Sequence, residues 1–163
     1  MKQQRETLAY FNAFADDWLR KSRGRGLDQV NIIRQRNDCV LEWLRGHPGS
    51  RVLLDVGCGT GDLVLEAARR GLRAIGVDFA EKMIRLAARR AKREGLDCAE
   101  FSCASVFDFG FQRSGYHAIS ANGFIEYLSI AQIDAFLKKS YQGLAAGGAL
   151  ILGSRTRLFN LFS

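Results

Sequence analysis

The chain has 163 residues, 47% of them hydrophobic and only one a proline. That is the length of about one domain with ample apolar content for a core, which excludes a disordered chain. Lys and Arg outnumber Asp and Glu by 24 to 17, a formal +7 that favours anionic partners and says nothing about fold. The start, Met1-Lys2-Gln3-Gln4-Arg5-Glu6, lacks the apolar core of an export signal. The longest apolar stretch, around Leu144 to Gly153, falls short of the ~18 residues of a membrane span. Cys39, Cys58, Cys98 and Cys103 show no CxxC spacing, and His47 and His117 are isolated, so no metal site is expected. Free thiols without signal or span predict a cytoplasmic protein.

In chain order, Leu8, Phe11, Ala15 and Trp18 recur at helical spacing, with Phe14 beside them. The basic, glycine-broken run Arg20-Lys21-Ser22-Arg23-Gly24-Arg25-Gly26 predicts a loop. Asp28 is the expected N-cap of a second helix whose stripe is Val30, Ile33, Asn37, Val40, Leu41 and Leu44, with Asn37 the one polar interruption. Gly46-His47-Pro48-Gly49 ends it. From Ser50 the rhythm changes. Strands are predicted at 51–56, 73–78, 98–104, 116–120 and 149–154, and helices at 63–70, 80–94 and 130–144. This alternation predicts an α/β fold, a Rossmann-like doubly wound and mostly parallel sheet with helices on both faces. Residues 1–49 form a helical lid or cap segment in this reading, and 50–163 the core.

The strongest local pattern is Asp55-Val56-Gly57-Cys58-Gly59-Thr60-Gly61-Asp62, a buried strand entering a glycine turn that opens a helix. Glycines there let a ligand approach the backbone. The spacing is G-x-G-x-G, with Asp62 where a dinucleotide fingerprint places its last glycine, and no Lys-Ser/Thr of a P-loop follows. Pyrophosphate is therefore not the obvious ligand, and Asp55 suits a cationic amino group better than a phosphate. Asp78 ends the next strand, 17 residues after Gly61. A carboxylate there can accept both hydroxyls of a ribose; the plain alternative is a helix cap.

These residues, with Gly76-Val77-Asp78, resemble the class I S-adenosylmethionine (SAM)-dependent methyltransferase family over about Leu41 to Arg155. The resemblance implies that Gly57, Gly59 and Gly61, with Cys58 as a small loop residue, lie beneath the methionine part of SAM. It implies Asp55 at that same end, Asp78 on the ribose and Phe79 against the adenine. Ser105 stands where the family carries an acid for the adenine amino group, Val106 offers a backbone N–H to the ring, and Asp108 is the alternative acid. Asn122 falls near the SAM amino or sulfonium group, and Glu126 and Tyr127 face either the acceptor or the following helix. The family's Asn/Asp-Pro-Pro-aromatic signature is absent, which argues against exocyclic base amines. Ubiquinone-pathway relatives carry two acids and a histidine for a metal where this chain has Gly123, Glu126 and Tyr127, so no metal is expected. Tyr10, Phe11, Phe14 and Trp18 resemble the lid of ubiquinone- and menaquinone-biosynthesis methyltransferases, where aromatics exclude water.

Lys82, Arg85, Arg89, Arg90, Lys92 and Arg93 crowd one helix, most of them at spacings that share a face. That is a solvated face, with nucleic acid or anionic lipid as the alternatives; no aromatic interleaving supports nucleic acid. The cations of residues 20–25 could hold an acidic acceptor. His117, at the start of a strand, is structural by its place. The family's sheet ends in an antiparallel hairpin after strand five, and no residues remain for it here. A fragment, a homodimer covering the strand-five edge, or a tail folded back on the sheet are the open explanations.

The resulting expectation is a SAM-dependent methyltransferase acting on an O or N atom of a small-molecule acceptor by in-line attack, with no catalytic base assigned. An RNA or protein methyltransferase and a SAM-binding partner subunit without catalysis are the alternatives. The glycine spacing argues against a nicotinamide oxidoreductase.

Overall fold

The computed structural model describes residues 2–17, 19 and 31–154. Trp18, the basic run at 20–25, Asp28 and the tail at 155–163 lie outside the described residues. α1 (Lys2–Ala13) is followed by a turn at Phe14 and further helical residues at 15–17. α2 (Ile32–Gly46) is capped by Asn31, whose side chain accepts from the Arg34 N–H at 3.1 Å. Of its predicted stripe, Val40, Leu41 and Leu44 are buried, while Ile33 and Asn37 face a cavity. The polar interruption therefore has a place.

From there strands and helices alternate as the apolar rhythm predicts: β1 (Val52–Val56), α3 (Asp62–Arg69), β2 (Arg73–Asp78), α4 (Glu81–Glu94), β3 (Ala99–Cys103), β4 (Tyr116–Asn122), a 3-10 turn (Ile125–Tyr127), α5 (Ile130–Gly143) and β5 (Leu144–Gly153). The five strands pair in parallel in the order β3-β2-β1-β4-β5. Successive side chains on a strand point to opposite faces. Leu53, Ala74 and Ala118 accordingly pack with Val40 and Leu44 of α2 and Val64 of α3 on one side. Leu54, Ile75, Val77 and Ile119 pack with Phe136 of α5 on the other. Helices thus cover both faces, as a sheet of doubly buried strands requires.

Two details differ from the sequence reading. β5 begins five residues before the expected Ala149, because Ala145-Ala146-Gly147-Gly148 carries no pattern that marks a strand. The pairing with β4 shifts register between Tyr116 and Ala118, where Gly147 adopts φ +74° and Gly148 leaves no room for a Cβ against the Tyr116 and His117 carbonyls. Among the described residues β5 pairs only with β4, so its outer edge is free. No helix of the described residues is long and apolar enough to cross a membrane.

The sheet order reverses direction at β1, with β2 on one side and β4 on the other. The carboxyl ends of these strands flank a crevice where open α/β sheets bind ligands.

Candidate functional site

A cavity of about 1080 Å³ opens at that crevice. This is above the roughly 300–1,000 Å³ range of single-ligand sites, so it has room for two reactants. Asp55, Gly57, Cys58 and Gly59 line it from the β1 end, and Asp78 and Phe79 from the β2 end. Ser105 and Val106 line it after β3, and Asn122, Glu126 and Tyr127 after β4. Tyr10 reaches it from α1. Most of the residues singled out in sequence are therefore brought to one place. Gly61 and Phe14 do not line the cavity, and Phe14 is 45% exposed. His117, Asp108 and Cys103 also lie off it.

The glycine loop is held by Asp78. One carboxylate oxygen accepts the Gly59 N–H at 2.9 Å and the other the Ala80 N–H at 2.8 Å. Each oxygen keeps a lone pair for a ligand. The cap reading of Asp78 and the ligand reading are thus compatible. Gly57, Gly59 and Gly61 all have positive φ (71°, 52° and 77°), a backbone that L side chains rarely adopt. Gly59 and Gly61 do different work. A Cβ on Gly59 meets no protein atom within 4 Å, whereas one on Gly61 would stand 2.7 Å from Phe101 and 2.9 Å from Ala87. Gly59 is open for a ligand; Gly61 is needed for close packing of α3 against α4 and β3.

Asp55 is buried beside Ser120, its register partner on β4. Burial pushes its pKa up to about 7, and the nearby Asp78 and Asp62 charges add to that. Ser120 is the one neighbour that lowers it, although its Oγ makes no hydrogen bond of ordinary geometry. Burial also raises the Asp78 carboxyl and pushes the Cys58 thiol well up, so Cys58 is no nucleophile.

Ser105 Oγ accepts from the Phe107 N–H at 3.3 Å. The Asn122 amide nitrogen is buried with no partner. Glu126 accepts from the Ser154 hydroxyl at 3.1 Å. Phe11 of α1 meets Tyr127 edge-on at 5.9 Å, and Tyr10 stands 4.8 Å from Phe14. An aromatic wall thus crosses the cavity mouth.

Sequence reasoning missed three residues. Arg36 of α2 lines the cavity and has no acid within ion-pair distance among the described residues; its Nη1 lies 3.1 Å from where a Cβ on Gly123 would stand. Asp62 lines the cavity and pairs with Arg90 at 2.7 Å. Arg90, grouped in sequence with the cations of α4, is only 8% exposed and departs from their solvated face. Its position at 90, next to the inward Ala87 and Ala91, was the available signal.

In all, the lining carries four acids (Asp55, Asp62, Asp78, Glu126) and one base, Arg36. The cavity is acidic within a chain of net charge +7. No cluster of metal-ligating side chains occurs among the described residues.

A methyltransferase-domain family matches residues 53–148. "Probable fatty acid methyltransferase" of Mycobacterium tuberculosis is 34% identical over 119 residues, which is 72% of this chain and 27% of that protein. "Ubiquinone biosynthesis O-methyltransferase" of Acinetobacter baylyi is 31% identical over 118 residues, 70% of this chain and 47% of that one. The chain spans less than half the length of either relative. Magnesium protoporphyrin IX methyltransferase from Synechocystis, crystallised with bound SAM, shares the fold at a TM-score of 0.71 and 23% identity, covering 93% of this chain and 76% of that one. The glycine loop, the parallel sheet and these matches together make the chain a member of the SAM-dependent methyltransferase family.

Proposed function

We propose that this chain binds SAM in the cavity and transfers its methyl group to an O or N atom of a small-molecule acceptor. The observation that carries this reading is the Asp78 carboxylate clasped to the Gly59 N–H at the rim of an acidic cavity large enough for two reactants. The residues present fit the cofactor. SAM has a sulfonium, an ammonium and a carboxylate, net +1, which suits a lining of four acids and one arginine. Gly59 has an open side for a ligand.

In this reading Asp78 accepts the ribose hydroxyls with its remaining lone pairs. Phe79 packs on the adenine, and Ser105 and the Val106 N–H meet its edge. Gly57 and Gly59 pass beneath the methionine part, with Gly61 setting the loop against its helix. Asp55 and the Asn122 backbone carbonyl sit at the ammonium end, and Arg36 takes the carboxylate. SAM supplies a methyl already activated on sulfur. The chain aligns the acceptor against it between Tyr10, Phe11 and Tyr127, beside Glu126, and keeps water out. Residues 1–49 serve as the lid or cap over the core of 50–163, with Phe14 on the lid. The relatives named for fatty acid and ubiquinone support a small-molecule acceptor.

The same reading puts a second copy of the chain on the free edge of β5, beside the exposed Leu152. It puts the protein in the cytoplasm, where its four unpaired cysteines stay reduced. Mass in solution checks the first; a monomer overturns it.

Calorimetric titration with S-adenosylhomocysteine tests the cofactor site. Micromolar binding is expected, weakened about a hundredfold in Asp78→Ala, since the variant loses charge-assisted hydrogen bonds to ligand and loop. A folded wild-type chain that binds no S-adenosylhomocysteine overturns the reading.

A further inference from the structure

α3 opens at Asp62, directly after the glycine loop. A helix N-terminus gathers unpaired N–H groups and the positive end of the helix dipole. Dinucleotide-binding α/β folds place pyrophosphate there. In this chain the first residue of that helix is itself an acid, and its carboxylate is fastened. Asp62 Oδ1 accepts from Arg90 Nη2 at 2.7 Å, and Oδ2 accepts from the Thr60 hydroxyl at 3.1 Å. Arg90 rises from α4 and is 8% exposed; its Nη1 also donates to the Thr60 carbonyl at 2.6 Å. Its Nε is buried with no partner. One guanidinium therefore ties together the last turn of the glycine loop and the first residue of α3. Both Thr60 and Asp62 line the cavity.

We propose that the Asp62–Arg90 pair is a specificity determinant of the cofactor site. It holds a carboxylate in the first turn of α3, at the cavity wall, so that the site rejects nucleotides carrying a phosphate chain and accepts a nucleoside whose 5′ substituent is neutral or cationic. This inference rests on the SAM reading above.

The electrostatics are simple. The Asp62 carboxylate is spent on Arg90, and the pair leaves the start of α3 with little net charge. An incoming diphosphate finds no free cation there to offset the loss of its hydration, and it stands close to the Asp62 oxygens. Removing the charge of Asp62 makes the site positive. The guanidinium of Arg90 is then an uncompensated cation beside a helix N-terminus, the arrangement that attracts phosphate. Substituting the acid should therefore raise affinity for nucleotides rather than merely weaken every ligand.

The test is calorimetric titration of S-adenosylhomocysteine, ADP and NAD into wild type, Asp62→Asn and Asp62→Ser, with thermal unfolding recorded for each. Asp62→Ser serves if the amide variant does not fold, because serine can still cap the helix start. Wild type is expected to bind ADP and NAD at least about a hundredfold more weakly than S-adenosylhomocysteine. Either folded variant should narrow that ratio about tenfold or more, mainly through tighter ADP. Arg90→Lys keeps the charge and should leave the ratio near wild type. An unchanged ratio in a folded Asp62 variant, with S-adenosylhomocysteine still bound, overturns the role of the pair alone. A wild type that binds ADP or NAD as tightly as S-adenosylhomocysteine also overturns it. A wild type that binds no S-adenosylhomocysteine overturns the cofactor reading beneath it.

Discussion

At the carboxyl ends of β1 and β2 two aspartates are engaged: Asp78 with two backbone N–H groups, Asp62 with Arg90 and Thr60. At the end of β4 and along α1 and α2, Arg36 has no acid beside it among the described residues, the Asn122 amide has no partner, and Tyr10 and Tyr127 are 48% and 43% exposed. The first half is set before any ligand arrives. The second keeps donors, a cation and aromatic surface available. A preorganised half suits a ligand that is always the same, and an open half suits one whose identity varies between relatives. In the proposed reading the first half holds the nucleoside of the cofactor, and the second takes its methionine end, through Arg36 and Asn122, together with the acceptor.

The largest way to probe the contrast is through Asp55, at the foot of the rigid half. Burial lifts its pKa to about 7, above the ~3.9 of an exposed aspartate. Between those two values the folded chain holds a proton that the unfolded chain has released. The associated stability is complete below about pH 4 and is lost as the pH rises through about 7, on the order of 4 kcal/mol at most. The thermal midpoint of the ligand-free protein should therefore fall from pH 5 to pH 8, and Asp55→Asn should flatten that slope. An ionised Asp55 also favours an ammonium beside it, so S-adenosylhomocysteine, which keeps that ammonium, should bind more tightly as the pH passes 7. Affinity that is constant from pH 5.5 to 8.5 would count against Asp55 at the ammonium end.

Gly61→Ala tests how rigid the loop is. The substitution forces a left-handed backbone and places a methyl 2.7 Å from Phe101. We expect about 3 kcal/mol of destabilisation in denaturant unfolding, from backbone strain and overpacking together. Gly59→Ala, with the same backbone penalty and open space ahead of its Cβ, should cost about 1–2 kcal/mol in stability and more in cofactor affinity. Equal stability losses at the two glycines would erase the distinction between packing and ligand approach.

The smallest effects belong to the open half. Tyr10→Ala and Tyr127→Ala should change S-adenosylhomocysteine affinity less than about threefold, since exposed rings lose little burial on truncation. Their consequence should fall on acceptor KM once an acceptor is in hand. A tenfold loss of S-adenosylhomocysteine binding in either would move that ring into the cofactor half.

Much of this was legible in the sequence because the relevant signals are local. The strand, glycine turn and helix from 52 to 69 follow from apolar period and from backbone angles that glycine alone adopts easily. Asp78 was placed by its position at a strand end. The cap at Asn31 and the early start of β5 were not legible, because a cap depends on which of several polar residues meets the helix start, and a bare Ala-Ala-Gly-Gly run has no side-chain period.

Arg36 and Arg90 show the limit most clearly. In sequence both are single cations among many in a chain carrying 24 of them. Only packing separates them from the others. Arg90 is buried against Asp62 and Thr60, 28 and 30 residues away in the chain (90 − 62 and 90 − 60), and Arg36 is held over Gly123. Charge and spacing say which faces a helix can offer to water; which cation is desolvated, and against what, depends on where remote segments meet. The sequence by itself determined the fold class and the loop, because each rests on short-range backbone chemistry, and it gave access to the cofactor through its resemblance to a known family. The tertiary structure alone decided which charges face one another across the cavity, because Coulomb energies depend on distance and burial rather than on order along the chain.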